Sequence, residues 1–195
     1  MTGPERAAGG ERRAGRTRQD AGRMALFTGF FAAAWFGWGQ AAASSGVRPW
    51  LSAGSIVALV LAASGVVMAI RDRATTPALA DRAAFRRYGI IVGTEFGTAA
   101  LGAIILALSG QAAFIPVWVC AVVGVHFVPL APVLRDRSLI PLAGASCAVA
   151  VCALAVHAAS GVAPSTVTGI GEGCVLVTFA LAMLLSVSGR KVSNR

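Results

Sequence analysis

The sequence predicts an all-α protein: six membrane-spanning helices in three hairpins, with both termini on the cytoplasmic side. Three observations carry that expectation. Only 13% of the residues are charged and the mean hydropathy is +0.74, whereas soluble domains carry about 25% charge. Beyond residue 23 the chain divides into six apolar stretches of about 20 residues, each long enough to cross a ~30 Å hydrocarbon core at ~1.5 Å per helical residue. All of the 17 basic residues except Arg48 lie before the first stretch, on alternate connections, or after the last, and basic residues stay cytoplasmic. The net charge of +9 therefore sits on membrane-flanking segments, next to anionic headgroups, and not on a folded nucleic-acid-binding face. Arginine outnumbers lysine 16 to 1 and Ala, Gly and Val are abundant, a composition that resembles proteins of high-GC bacteria; the expected location is a bacterial cytoplasmic membrane, and the expected partner is the lipid bilayer, with no nucleic acid.

Residues 1–23 are rich in Gly, Ala and Arg and show no apolar periodicity; they read as a disordered basic tail preceding a membrane domain of residues 24–187. The first span is 24–45. Arg23, the apolar run and Ala41-Ala42-Ala43 have the outline of a cleavable signal. The long basic region and the short 44–49 turn into the next span favour retention. The second span, 50–70, opens on Trp50, an aromatic suited to the membrane–water interface; Trp118 and Tyr88 are read likewise, while Trp35 and Trp38 are placed in packing. The long connection 71–87 carries Thr76-Pro77, a helix start with an N-cap hydroxyl and proline at the first helical position. Residues 78–87 are expected to lie as a helix on the inner headgroups.

The third span, 88–108, holds Gly89, Gly93 and Gly97 at spacing four, a ridge of the kind that lets helices pack closely. Glu95 projects from the opposite side, so this span is expected at the centre of the bundle. The fourth, 113–134, carries His126 followed by Pro129 and Pro132. Pro129 removes the donor for the Val125 carbonyl and favours a kink. The fifth span is 139–159, with His157. The sixth, 165–187, opens through Gly169-Ile-Gly171-Glu172-Gly173, a weakly helical run that suggests partial unwinding. Residues 188–195 form a cytoplasmic tail.

Several features recur between hairpins. The outer turns read Ser45-Gly46, Ser109-Gly110 and Ser160-Gly161, and spans two and four both end in Arg-Asp-Arg. Gly46 to Gly110, Arg71 to Arg135, Arg23 to Arg87 and Gly29 to Gly93 share one interval. Duplicated hairpins explain this; so does the fitting of any two hairpins to one bilayer.

Four ionisable side chains lie well inside the spans: Glu95, His126, His157 and Glu172. A charge near the bilayer centre costs ~2.5–3.5 kcal/mol even on the lenient insertion scale. Glu95 and His126 are equidistant from the Gly110-Gln111 turn, so two antiparallel helices place them at one depth, ~10–12 Å from the inner edge. They are candidates for an intramembrane proton relay or solute path, or for interhelical packing contacts alone. Gln40, His157 and Glu172 are candidates for an outer polar vestibule, although His157 equally suits interfacial water. The four cysteines fall inside spans without metal-ligand spacing and read as small apolar residues. No metal or other cofactor is expected, and no catalytic constellation that would mark an enzyme presents itself.

The tract Gly124-Val-His126-Phe127-Val-Pro129-Leu130-Ala131 resembles a G-x-H-F-x-P-L-A segment of small multi-pass membrane proteins of bacteria, especially actinobacteria, of similar size and hairpin arrangement. No activity is known for that group, so the resemblance implies the architecture and draws attention to His126. The functional expectations are a small transporter or channel-like protein acting on a small solute or a proton, or a membrane scaffold or partner subunit.

Overall fold

A computed structural model describes residues 18–71 and 82–188. Among them the chain is all-α: α1 Arg18–Gln40, α2 Arg48–Arg71, α3 Arg82–Leu108, a single 3-10 turn Ala112–Phe114, α4 Ile115–Val133, α5 Leu139–Ser160 and α6 Pro164–Ser188. Five of these helices are long and apolar enough to cross a membrane, which marks the chain as a membrane protein. Helix α1 is not among the five. Gln19, Asp20 and Arg23 in its first turns, with its glycines and tryptophans, dilute the apolar content of the first of the six expected spans.

Boundaries move in two places. Helix α1 begins at Arg18 and buries Gln19, Ala21 and Gly22, so residues 18–23 belong to the helix and not to the tail expected over 1–23. Arg82, Arg86 and Arg87 lie within α3, which absorbs the second half of the expected surface helix; Thr76 and residues 78–81 lie outside the described residues. Glycine closes two helices where the backbone turns left-handed: Gly110 after α3 and Gly161 after α5 have φ of 74° and 70°, a region that costs glycine no Cβ clash. Between α4 and α5, Arg135 adopts φ 53°. Asp136 Oδ1 then accepts bonds from the Ser138 N–H (3.0 Å) and hydroxyl (2.7 Å), which starts α5 after a very short turn.

Helix α6 is the hub, touching α1, α2, α4 and α5. Its contact with α1 is antiparallel along the whole length. Gly39 meets Ser165 and Gly169, Phe36 covers Gly173, and Ala25 packs with Ala180 and Met183. Helices α1 and α2 are also antiparallel, with Gly22 against Gly65 and Ala69, Gly29 against Ala58 and Ala62, and Phe36 over Gly54. A second group forms on the far side of α6, where Gly124 of α4 lies against Ser146 and Cys147 of α5, and Gly171 faces Val149. Packing is not confined to the hairpins: α1 and α2 make the most extensive pair, but α6 packs more extensively on α1 than on its neighbour in sequence, α5.

Helix α3 sits at the edge. Among the described residues its only neighbours of the other elements are α4 and the 3-10 turn, and none of its membrane-length segment is buried. Phe96, Leu101, Ile104 and Ile105 all point outward. The expected central position is thus corrected. So is the packing role of Gly89, Gly93 and Gly97: among the described residues nothing lies within 4 Å of where a Cβ would stand at any of them. Spacing shows that a helix has a smooth face, but not whether a neighbour occupies it. Gly93, the repeat counterpart of Gly29, is open where Gly29 touches backbone, so the two hairpins do not share their packing at these corresponding positions.

Candidate functional site

Helices α3 and α4 run antiparallel across their seam. Near one end Trp118 covers Gly102 and its Nε1–H donates to the Thr98 carbonyl at 3.2 Å. Further along, His126 Nδ1 stands 3.1 Å from Glu95 Oε2, with 9% and 14% of the two side chains exposed. Equal depth across a short turn thus becomes contact, because both residues also face the seam. The approach is close but oblique: Nδ1 makes no aligned hydrogen bond, so Oε2 lies off the direction of a ring N–H. Phe127 flanks the imidazole at 5.5 Å between ring centroids. Helix α4 continues through Pro129 and Pro132 to Val133, leaving the Val125 carbonyl beside His126 without its usual helical donor. A carboxyl and an imidazole in contact can share a proton, and each satisfies part of the other's polarity in an apolar seam.

The three candidates for an outer vestibule each have partners of their own. Gln40 Oε1 accepts a bond from the Ser52 hydroxyl at 3.1 Å, joining α1 to α2. His157 Nδ1 donates to the Val162 carbonyl at 2.9 Å, and its ring meets Phe114 edge-on at 5.4 Å. Glu172 turns inward, fully buried among α4, α5 and α6. Its Oε1 accepts the Ser146 hydroxyl at 2.8 Å and its Oε2 the Cys120 thiol at 3.6 Å, while the same thiol lies 3.4 Å from the Ser146 carbonyl. Gln40 turns to α2, His157 to the turn after α5 and the 3-10 turn, and Glu172 to α4 and α5, and depth alone could not separate them.

The glycines around Glu172 explain its burial. The segment expected to unwind is regular helix; Gly169, Gly171 and Gly173 instead admit Gly39, Val149 and Phe36 at close range, which seals the carboxyl from the lipid. Sequence reading missed Ser146 and Cys120. Neither stands out in an apolar span, and only their positions opposite Glu172 give them a role. Helix α4 thus carries polar contacts on two sides, Trp118 and His126 toward α3 and Cys120 toward α5 and α6.

Two surface grooves lie elsewhere. One of about 270 Å³, among Trp38, Ala41, Ala113, Ile115, Pro116 and Pro164, is at the end of the bundle that carries the turn after α1. One of about 320 Å³, lined by Gln19, Arg23, Leu26, Phe27, Val66, Ala69 and Ile70, is between α1 and α2 at the opposite end.

The chain matches no protein-family model, and no curated protein or solved structure matches it.

Proposed function

We propose that the chain is a six-span integral protein of a bacterial cytoplasmic membrane, both termini cytoplasmic, acting as a small transporter or channel-like protein in which Glu95 and His126 exchange a proton within the bilayer. Support for the sixth span comes from α1 itself, which runs antiparallel along both α2 and α6, two helices of membrane-crossing length. The antiparallel order gathers Arg18, Arg23, Arg71, Arg82, Arg135 and Arg137 at one end, as cytoplasmic retention of basic residues requires. Reporter fusions test the orientation. Those at Ser138 are expected to report cytoplasm and those at Val47 and Ala163 the opposite side; a periplasmic signal at Ser138 would sink the six-span reading.

The single observation behind the proton-handling role is the 3.1 Å contact between two titratable groups in the seam that holds the edge helix. Intramembrane ionisable pairs are costly to keep and mark proton and ion pathways. A scaffold or partner subunit is the second reading, favoured by the shelter of both side chains and by the position of the two grooves away from them. Glu95→Gln separates the two, because glutamine keeps hydrogen bonding and shape but carries no transferable proton. In sealed vesicles containing a pH-sensitive dye, wild type is expected to dissipate an imposed pH gradient. The variant is expected to lose that flux while melting within a few degrees of wild type. Equal flux in both, or none in wild type, would leave the packing role.

A further inference from the structure

We infer that the groove between α1 and α2 holds one anionic phospholipid, with its phosphate on Arg23 and an acyl chain along the apolar floor. The inference rests on α1 and α2 crossing the membrane side by side, as in the six-span reading. The two helices approach so closely at Gly22 and Gly65 that a Cβ on Gly22 would stand 2.8 Å from the Gly65 carbonyl and the Ala69 amide nitrogen. Where such narrow helices meet, the larger side chains stand apart on either side of the contact. Phe27 and Ile70, 57% and 50% exposed, wall a trough of about 320 Å³, with Leu26 and Val66 also lining it. This trough opens outward, and within a bilayer the molecules that meet such a surface are lipids.

Charge selects among them. Arg23 lines the groove and is exposed, and Arg71 follows directly on the lining residue Ile70, exposed at the end of α2. Both lie at the end of the bundle where the other basic residues collect, the level of the headgroups. A basic side chain at an anionic membrane surface contributes about 1 kcal/mol, equivalent to about fivefold in affinity. A zwitterionic headgroup gains little of this, because its own cation offsets the phosphate. Apolar floor and cationic rim are therefore matched to a lipid that carries net negative charge.

Native mass spectrometry of the full chain in mild detergent tests this, using phosphatidylglycerol and phosphatidylcholine with identical acyl chains. One phosphatidylglycerol is expected to be retained in preference to phosphatidylcholine, and Arg23→Gln is expected to reduce that preference by about fivefold. Val66→Trp, which fills the trough, is expected to abolish retention, while Ile104→Trp on the open face of α3 leaves it intact. Equal retention of the two lipids would overturn the inference. So would a preference that survives both groove variants, or one lost in Arg23→Gln but kept in Val66→Trp, which leaves a headgroup contact without a groove. A failure of the six-span reading shows separately, in the reporter fusions.

Discussion

Glu172→Ala is expected to destabilise the protein by about 2–4 kcal/mol, with a fall in melting temperature on the order of 5–10 °C in detergent. Two effects compete. Removing a fully buried carboxyl relieves its desolvation, which favours the variant. Against this, the side chain fills the junction of α4, α5 and α6, where Ser146 and Cys120 are its polar partners. The cavity term decides the sign, because interiors this closely packed collapse only partly. The orphaned Ser146 hydroxyl adds little, since a serine in a helix can turn to a carbonyl of its own preceding turn. Glu172→Gln keeps volume and hydrogen bonding, and is expected to lie within about 1 kcal/mol of wild type. Thermal unfolding of the three proteins, followed by the fluorescence of their tryptophans, checks this. An alanine variant as stable as wild type would show that the three-helix junction does not depend on Glu172.

Gly65→Val is expected to be at least as damaging, about 3 kcal/mol or a failure to accumulate in the membrane. A Cβ at residue 65 would stand 2.5 Å from the Gly22 carbonyl oxygen and 2.6 Å from the Leu26 amide nitrogen. Both are backbone atoms, so no rotamer change removes the clash, and α1 and α2 must separate. Separation forfeits dispersion contacts along the rest of the pair, the main attraction between helices where lipid tails are as apolar as the side chains. The contrast is Gly93→Val, which meets open space and is expected to cost only a few tenths of a kcal/mol, or nothing. Yield and melting temperature of the two variants check the pair. Equal sensitivity at residues 65 and 93 would mean that α3 has a neighbour on its glycine face.

These two contrasts define what was legible in the chain. Glycine spacing of four pointed to Gly89, Gly93 and Gly97, yet the tight contacts fall at Gly22 with Gly65, Gly29 with Ala62, and Gly39 with Gly169. A small residue permits close approach; only the presence of another helix makes use of it. Glu95 and His126 were legible as a pair because one short turn relates their depths, and a local relation of that kind survives in the sequence. Glu172 was legible as anomalous, but its partners were not. Cys120 and Ser146 lie on other helices, brought to it by angles of rotation that no turn length determines.

By itself, the sequence determined the all-α class, the run of membrane-length helices after the first, their approximate ends, and the gathering of basic residues at alternate connections. All of these follow from the length of apolar runs and from charge, which act along the chain and need no partner. The tertiary structure decided that α6 is the hub, that α3 is the edge, that α1 begins within the expected tail, and that Glu172 is enclosed while Gln40 and His157 face other neighbours. The physical reason is that every helix here is apolar on most of its surface, so no polar face announces which side turns inward. The choice of faces then rests on backbone-close packing between particular glycines and the side chains opposite them, a property of pairs of helices and not of either helix alone.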